Sequence, residues 1–284
     1  MEGKNVALLG ATGFLGKQIL LELVDKGFRV TVVSRNDENH SVPFPIRILN
    51  IKKFLSCKEP FDLIINCAGY YSKSSRFTEV YKIRKSNYLL VKKLIEFRKK
   101  NGGVLITFGS YFEQIPAGQK IAALYYTKYK SKAKKKLAIS AKKISSPTFY
   151  VYLFDTYGEE DNRNKVLTRI IEEFKAGNTP ILTTPLESIN WSHKADIAAS
   201  IIRLISDSNK YLPYKLHEFQ IRSSDEFRLL DFVNKISSKI THNEIRYDRV
   251  YKSDRLFDCA PDLLYFTSKY NVIDFTLASI RKKE

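Results

Sequence analysis

The feature that most constrains the fold of this chain is a glycine turn set between an apolar run and a helical pattern. The run Val6–Leu9 leads into Gly10–Gly16, where every third residue is glycine, and apolar residues at helical spacing follow in Lys17–Lys26. A β-branched run, Arg29–Val33, comes next. Strand, glycine turn, helix and second strand together predict one βαβ unit of a parallel sheet.

The same rhythm continues downstream. Further strands are predicted at Ile46–Leu49, Asp62–Asn66, Val104–Phe108 and Thr148–Leu153, with helical patterns near 77–100 and 121–143. A chain of 284 residues that is 44% hydrophobic is long enough to bury a full core. The alternation predicts an α/β fold with a doubly wound parallel sheet of the Rossmann type.

The pattern loosens after Tyr157-Gly158 into Pro, Gly, Asn and Thr. Later elements are predicted as helices at Val166–Lys175 and Asp196–Ile205, with a turn and a short strand over 179–185. We therefore expect a dinucleotide-binding domain over 1–156, to which a helix at 191–206 returns. A smaller interleaved C-terminal substrate lobe would comprise 157–190 and 207–284.

Charge and cysteine content narrow the possible partners and the cellular compartment. The net charge of +18 favours anionic partners, such as nucleotides, sugar phosphates, nucleic acid or a membrane surface. No strand interleaves aromatic and basic residues as an RNA-binding fingerprint does, so we expect no nucleic-acid partner. Cys57, Cys67 and Cys259 have no metal-ligand spacing and form no disulfide pattern, so we expect no metal site and a reducing cytoplasm. No apolar run reaches the roughly 18 residues of a membrane span, so none is expected.

The glycine turn predicts a dinucleotide cofactor. Gly10 would permit the tight turn, Gly13 would let phosphates approach the backbone, and Gly16 would let the helix pack on the strand. The helix N-terminus would then bind the pyrophosphate. The alternative is a tight turn with no ligand.

The end of the second strand indicates which nicotinamide cofactor is used. It runs into Ser34-Arg35, and no acidic residue occurs before Asp37. An acidic side chain here would bind the ribose hydroxyls and repel a 2′-phosphate, whereas Arg35 offers the phosphate a charged fork and Ser34 a hydroxyl. This predicts NADPH, with a solvated loop arginine as the alternative.

A candidate catalytic set follows the fifth strand. Tyr126 and Lys130 are four residues apart and share a helix face, and Ser110 lies at a strand end, where active-site loops form. An ammonium about 4 Å from a phenol is worth roughly 4 kcal/mol at an effective dielectric of 20, so Lys130 should lower the pKa of Tyr126. Of the tyrosines at 125, 126 and 129, only Tyr126 has a lysine four residues later.

Several motifs together resemble the extended short-chain dehydrogenase/reductase family, of the NAD-dependent epimerase/dehydratase type. These are the GxxGxxG spacing, Phe61–Gly69, Asn87 in Ser86–Leu90, Ser110 with Tyr126-x-x-x-Lys130, Tyr157-Gly158 and Asp196-Ile197-Ala198. The resemblance implies that Ser110 binds the substrate oxygen, that Tyr126 is the acid/base, and that Lys130 also binds the nicotinamide ribose. It further implies a homodimer, which the helices near 77–100 and 121–143 would form.

The resemblance also supplies the remaining binding residues. Cofactor contacts are expected at Gly10, Thr12, Gly13, Phe14, Leu15, Gly16, Ser34, Arg35, Asn50, Ile51, Cys67, Ala68, Gly69 and Lys130. Substrate contacts are expected at Asn87, Tyr111, Arg163, Lys165 and His193. For Arg163 and Lys165 the alternative is a solvated charged turn, and for His193 a packed histidine.

The residues after Ser110 bear on the reaction. Dehydratases of this family carry an Asp-Glu pair after a threonine at that place, whereas this chain has Tyr111-Phe112-Glu113. The stretch 153–165 resembles nucleotide-sugar 4-ketoreductases, such as CDP-abequose and CDP-paratose synthases and 6-deoxyheptose reductases. This predicts NADPH-dependent reduction of a nucleoside-diphosphate 4-keto sugar. An epimerase with bound NAD and a non-catalytic NADP-binding regulator are the alternatives.

Overall fold

The computed structural model describes residues 3–35, 46–115, 123–185, 187–240 and 269–282. These residues form two compact units. The first contains the described residues up to Leu153 together with Ala198–Gln220. The second contains Phe154–Ile197 and the described residues from Ile221 onward.

Strands and helices alternate along the described chain. The strands are β1 (Asn5–Leu9), β2 (Arg29–Ser34), β3 (Arg47–Asn50), β4 (Leu63–Asn66), β5 (Val104–Ser110), β6 (Thr148–Leu153), β7 (Asp155–Tyr157), β8 (Ser188–His193), β9 (Leu216–Ile221) and β10 (Glu226–Arg228). The α-helices are α1 (Phe14–Asp25), α2 (Ile51–Ser56), α3 (Phe77–Arg84), α4 (Leu90–Asn101), α5 (Leu124–Ala141), α6 (Val166–Lys175), α7 (Lys194–Ser206), α8 (Leu229–Ile240) and α9 (Val272–Arg281). Residues 121 and 122 of the helix predicted near 121–143 lie outside the described residues.

The first unit is built on a seven-stranded sheet with the order β3-β2-β1-β4-β5-β6-β9. The pairings from β3 through β6 are all parallel. This confirms the predicted doubly wound α/β fold. Since the carboxyl ends of parallel strands lie at one edge of the sheet, the loops after β1, β4 and β5 are neighbours there.

The core of the first unit forms where helices cover this sheet. On α4 the buried residues Val91, Leu94 and Ile95 recur at helical spacing, so one stripe of the helix faces the strands. Phe54 of α2 stacks on Phe97 of α4 with ring centroids 4.5 Å apart. Among the helices in the described ranges, none is long and apolar enough to cross a bilayer.

The second unit has its own small sheet and its own core. Its strand order is β10-β8-β7, with β7 parallel and β10 antiparallel to β8. Leu167, Ile170 and Phe174 of α6 lie on one face of that helix and belong to the core. Trp191 of β8 packs on Phe232 of α8, with ring centroids 4.5 Å apart.

The boundaries of the units differ from those expected from sequence. Residues 207–220 belong to the first unit, where β9 extends the sheet beside β6. Residues 154–156 and 191–197 belong to the second unit.

No strand forms over 179–185, where one was predicted, and β8 forms at 188–193 instead. The hydrophobic pattern of the sequence does not indicate β8, because several residues of this strand are polar. Asn190 can be buried there since its Nδ2 donates to the carbonyls of Ser223 (2.8 Å) and Asp225 (3.0 Å). Residues 241–268 of the predicted lobe lie outside the described residues.

A buried arginine ties α4 to the strands beside it. Arg98 is 1% exposed, and burial lowers the pKa of its guanidinium to about 10. The guanidinium donates to Gly103 O at 2.9 Å, to Thr148 Oγ1 at 2.8 Å and to Ser146 Oγ at 3.0 Å. These acceptors are neutral, so hydrogen bonds rather than an ion pair offset the desolvation of the charge.

Replacing Arg98 by methionine should lower the free energy of unfolding by about 3 kcal/mol, because several buried oxygens then lose their donor. The matched control is Lys99→Met, which removes an exposed cation from the same helix and should change stability by less than about 0.5 kcal/mol. Urea unfolding at neutral pH measures both variants. Equal stability of Arg98→Met and the wild type would show that the guanidinium network contributes nothing.

Candidate active site

The loop after β1 lies against the loop after β4 so closely that residue 10 has no room for a side chain. Gly10 has a φ of +77°, and a Cβ there would lie 2.6 Å from the Ala68 nitrogen. A Cβ on Gly16 would overlap the Gly10 carbonyl oxygen. The turn itself is closed by the Gly13 N–H, which donates to Gly10 O at 3.0 Å.

The start of α1 fits an anionic group. Gly13 is the N-cap residue, in an extended conformation, and the first turn of the helix contains no acidic side chain. Gly13 and Thr12 are exposed, while Phe14 and Leu15 are half-buried in the first turn. A helix N-terminus of this kind favours negative charge, so a dinucleotide pyrophosphate suits this part of the site.

The residues predicted to bind the adenosine end lie together at the ends of β2 and β3. Ser34 pairs with Asn50 across these strands, and Arg35 is exposed beyond them. Asn50 is engaged by the protein, because its Nδ2 donates to Arg35 O at 2.7 Å and its Oδ1 accepts from the Lys52 N–H at 2.9 Å. It therefore caps α2, while Ile51 begins that helix half-buried.

Asn87 shapes the loop after β4. Its Nδ2 donates to Tyr70 O at 2.7 Å, and its Oδ1 accepts from the Tyr70 N–H at 3.3 Å. Asn87 is buried in a π-helical turn, Lys85–Leu89, that joins α3 to α4; such turns recur at functional sites. The clamp on Tyr70 is a structural role, and the predicted substrate contact of Asn87 stays a prediction.

The structure brings the three predicted catalytic residues together. Ser110 is the last residue of β5, and Tyr126 and Lys130 lie one helical turn apart on α5. The Lys130 Nζ donates to Phe108 O at 2.6 Å and lies 5.7 Å from the centroid of the Tyr126 ring. Lys130 also lines a small pocket with Ala68 and Asn87, next to the loop predicted to contact the cofactor.

Burial dominates the electrostatics of this site. It lowers the pKa of Lys130 to about 8, while the Glu113 carboxylate and the Cys67 sulfur act in the opposite direction. It also raises the pKa of Tyr126, to which Glu113 and Tyr71 add, while a side-chain hydrogen bond from Ser110 acts in the opposite direction. The sequence predicted that Lys130 would lower the pKa of Tyr126. That prediction is wrong, since burial raises the pKa of Tyr126 and the Glu113 charge adds to the rise.

Aromatic rings lie around Tyr126, and two of them, Tyr71 and Phe112, were not predicted as site residues. Tyr71 meets the Tyr126 ring edge-on at 5.1 Å and stacks with Phe112 at 6.4 Å between centroids. Tyr111, a predicted substrate contact, is buried and packs on Phe112 at 4.3 Å. Tyr71 has no motif around it, so only the fold brings it to the site.

Glu113 was also not predicted as a site residue, although a sequence motif indicates a role for it. Ser110-x-x-Glu113 has the spacing of a capping box, in which the two residues bond each other's backbone. The structure contains this box at the short 3₁₀ helix Tyr111–Gln114, and Tyr150 of β6 contacts the same carboxylate. Tyr150 lies within a buried strand, and nothing in its local sequence indicates a role.

The predicted diphosphate contacts belong to the second unit. Arg163 makes a two-point contact with Asp161 at 2.6 Å and 2.7 Å, and it also donates to Thr156 O at 2.9 Å. The Lys165 Nζ lies 4.0 Å from Asp155 Oδ1. A diphosphate would therefore compete with carboxylates for both cations, and their role as substrate contacts stays a prediction.

His193, also in the second unit, is packed among aromatic rings. It is 1% exposed and stacks on Tyr270 with centroids 3.9 Å apart. Burial lowers the pKa of His193, and the Glu159 carboxylate at 3.4 Å opposes this. The arrangement matches the packed histidine weighed as the alternative, and a substrate contact by His193 stays a prediction.

The lowered pKa of Lys130 should reduce stability at neutral pH. Below pH 8 the folded protein buries an ammonium, whereas an unfolded lysine stays charged up to a pKa of about 10.4, so this cost disappears between about pH 8 and 10.4. We expect Lys130→Met to be more stable than the wild type by about 2 kcal/mol at neutral pH, after the lost hydrogen bond to Phe108 is deducted. The difference should shrink as the pH rises through that interval.

Urea unfolding of the cofactor-free protein at a series of pH values measures this difference. The control is Lys132→Met, an exposed lysine on the same helix, for which no pH-dependent difference is expected. A stability difference for Lys130→Met that stays constant with pH would contradict the depressed pKa.

Sequence and structure comparisons agree with this geometry. A curated relative, CDP-abequose synthase of Yersinia pseudotuberculosis, is 24% identical and aligns over 98% of this chain and 100% of its own length. Bordetella bronchiseptica WbmF in complex with NADH has a TM-score of 0.76 at 17% identity, covering 98% of this chain and 91% of that one. UDP-glucuronic acid 4-epimerase of Bacillus cereus has a TM-score of 0.74 at 12% identity, covering 97% and 98%.

The family comparison covers most of the chain, including the glycine loop, Ser110, Tyr126 and Lys130. Residues 6–216 match the NAD dependent epimerase/dehydratase family. Within the described ranges, no group of three or more His, Cys, Asp or Glu residues could hold a metal ion. With its parallel sheet, its glycine turn and its three convergent side chains, the chain belongs to the NAD dependent epimerase/dehydratase family.

Proposed function

We propose that the protein catalyses the NADPH-dependent reduction of the 4-keto group of a nucleoside-diphosphate 4-keto-6-deoxy or dideoxy sugar, for deoxysugar and O-antigen biosynthesis. The observation that carries this proposal is the end of β2, where Ser34 and the exposed Arg35 stand in place of a carboxylate. A carboxylate would repel a 2′-phosphate, whereas a guanidinium binds one through charge-assisted hydrogen bonds. A net reductase consumes reducing equivalents in every turnover, which favours NADPH over a permanently bound NAD.

The residues present fit such a cofactor. The glycine loop at the start of α1 would hold the pyrophosphate, Ser34 and Arg35 the 2′-phosphate, and Lys130 the nicotinamide ribose. The loop Cys67–Gly69 would lie against it. When bound, the cofactor supplies the hydride that the carbonyl carbon receives.

Ser110, Tyr126 and Lys130 would handle the oxygen and its proton. The Ser110 hydroxyl would donate a hydrogen bond to the substrate carbonyl oxygen and hold it beside Tyr126. Tyr126 would then give its proton to the oxygen as negative charge develops there. The phenol carries its proton at neutral pH, as this direction requires, although its raised pKa makes it a weaker acid. The Lys130 ammonium would offset the phenolate that remains.

The substrate class is supported by charge and by the names of similar proteins. A chain with a net charge of +18 attracts a nucleoside diphosphate, and Arg163 and Lys165 are candidate contacts for it. A relative aligned over its full length is a CDP-abequose synthase. The Bacillus cereus epimerase of similar fold was crystallised with a UDP sugar.

The second candidate is a nucleotide-sugar epimerase with bound NAD. It is favoured by the structural neighbours, which include WbmF with NAD⁺ and the Bacillus cereus epimerase with NAD. A non-catalytic NADP-binding regulator is less favoured, because cofactor binding alone does not require Ser110 and Tyr126 to lie together beside Lys130.

The assembly and the compartment are part of the same proposal. We expect a homodimer formed through α3, α4 and α5. The exposed rings of Phe77 and Tyr81 on α3 and the exposed Leu124 on α5 support such a contact. Cys57 and Cys67 are free thiols, which supports a reducing cytoplasm.

Substitution of Tyr126 by phenylalanine should lower kcat for ketone reduction by about 100-fold or more, because the proton donor is lost. The measurement is the loss of NADPH absorbance with enzymatically prepared CDP- and GDP-4-keto-6-deoxy sugars. Tyr129→Phe is the matched control, since it removes a phenol from the same helix without a lysine four residues later. We expect this control to keep activity within about two-fold.

Two results would contradict the proposal. One is full activity of Tyr126→Phe. The other is no turnover of any keto sugar by a wild-type protein that purifies with tightly held, non-exchanging NAD, and this would favour the epimerase.

Replacement of Arg35 by alanine should weaken NADPH binding by roughly 10- to 100-fold and leave NADH binding nearly unchanged, because only NADPH carries the 2′-phosphate. Fluorescence titration with each cofactor measures both affinities. Arg47→Ala is the control, since this exposed arginine lies at the opposite end of β3 from Asn50. Equal weakening of NADH and NADPH binding in Arg35→Ala would refute a 2′-phosphate contact.

A further inference from the structure

An acidic side chain lies directly behind Ser110. The Glu113 carboxylate accepts the Ser110 N–H at 2.9 Å, and the Tyr150 hydroxyl lies 2.9 Å and 3.0 Å from its two oxygens. The Tyr150 hydroxyl also lies 3.3 Å from the carbonyl of Lys130. Glu113 thus contacts Ser110 directly and reaches the backbone of α5 through Tyr150.

The neighbouring glycine leaves room for this arrangement. A Cβ on Gly109 would lie 2.9 Å from Glu113 Oε1 and would overlap the Tyr150 ring. Any side chain at 109 would therefore displace the carboxylate or the phenol. Gly109 leaves the space that Glu113 and Tyr150 occupy. We call these two residues the Glu113–Tyr150 pair.

The contacts of Glu113 suit a carboxylate anion. Its Oε1 accepts the Ser110 N–H, and the Tyr150 hydroxyl lies within hydrogen-bond distance of both oxygens, so that it can donate to either of them. Burial raises the pKa of Glu113, and the Ser110 N–H, the Lys130 and Lys134 charges and the Tyr150 hydroxyl act against that rise.

We propose that Glu113 is a positioning residue for the reduction: it fixes Ser110 through the backbone, and its negative charge lies behind Ser110, where it supports the Lys130 ammonium that faces Tyr126. The inference rests on the proposed function, because it assigns Tyr126 the part of an acid. It explains why an anion is placed beside the reacting groups of a site that already carries a lysine. A ketoreductase gains from such an anion because burial lowers the pKa of Lys130 to about 8, and the Glu113 charge opposes that fall and so helps Lys130 to stay an ammonium at neutral pH.

Several titratable groups face Glu113 and the pair Tyr126 and Lys130. They are Tyr126, Lys130 and Lys134 from α5, Tyr150 and Tyr152 from β6, and Tyr71 and Cys67 from the loop after β4. Glu113 raises the pKa of both Tyr126 and Lys130, the direction expected of an anion near an acid and near a base.

The first test is the pH profile of kcat for the keto sugar that the wild type reduces, compared with Glu113→Gln. The amide of glutamine keeps the size of the side chain and an oxygen for the Ser110 N–H, but it removes the charge. We expect the basic limb of the profile to move to lower pH by on the order of one unit, with kcat on the plateau within about three-fold. Tyr150→Phe is the matched control, because it removes a contact to Glu113 and leaves its charge, so its basic limb should stay in place.

The second test needs no turnover. The affinity of the protein for NADPH, measured by fluorescence from about pH 6 to 10, should fall as Lys130 loses its proton near pH 8. In Glu113→Gln the midpoint of this fall should move to lower pH, and in Lys130→Met the fall should vanish. If the wild type reduces no keto sugar but the midpoint still moves, the proposed function fails while the effect of the Glu113 charge on Lys130 stands.

The inference is overturned by a Glu113→Gln variant that loses kcat equally at every pH with its basic limb unmoved. That result would leave Glu113 a purely structural cap. An unmoved midpoint for NADPH binding in a folded Glu113→Gln variant would overturn it independently of any substrate. Thermal melting followed by circular dichroism establishes that each variant is folded.

Discussion

The close approach of the loop after β1 to the loop after β4 is the constraint on which the candidate site depends. Because Gly10 has no side chain, its backbone can lie against the Ala68 nitrogen, and Gly16 lets α1 begin immediately behind the turn. The sheet order places β1, β4 and β5 side by side. Their carboxyl ends therefore present the glycine turn, the loop at Cys67 and the hydroxyl of Ser110 along one edge.

The protonation of the candidate catalytic residues depends on the balance between burial and charge around α5. The Lys130 ammonium is held by a backbone carbonyl, not by a carboxylate, and so its desolvation is only partly offset. Tyr126 is also desolvated, and this raises its pKa. Burial therefore keeps the proton on the phenol, so Tyr126 is a phenol and not a phenolate at neutral pH.

Cations in the two units are used differently. Arg98 is a structural cation: it is buried, and its guanidinium donates hydrogen bonds to neutral acceptors of the first unit. Arg163 is partly exposed and engaged by a carboxylate, an arrangement from which an anionic ligand could displace it. The cations behind the net charge of +18 therefore have different roles, and the role of each depends on its burial and its hydrogen-bond partners.

The sequence by itself determined the parallel sheet, the glycine turn and the spacing of Tyr126 and Lys130, because each is a local pattern of two or three elements. Even so, β8 and β9 were not predicted, because each contains a polar residue whose partner lies far along the chain: Asn190 bonds to Ser223, and Glu218 to Tyr152. The Glu113–Tyr150 pair joins residues 37 positions apart, and the contact between Tyr71 and Tyr126 joins the loop after β4 to helix α5. Only the tertiary structure decided these contacts and the direction in which the pKa of Tyr126 moves, because desolvation depends on everything packed around a group and not on its neighbours in the chain.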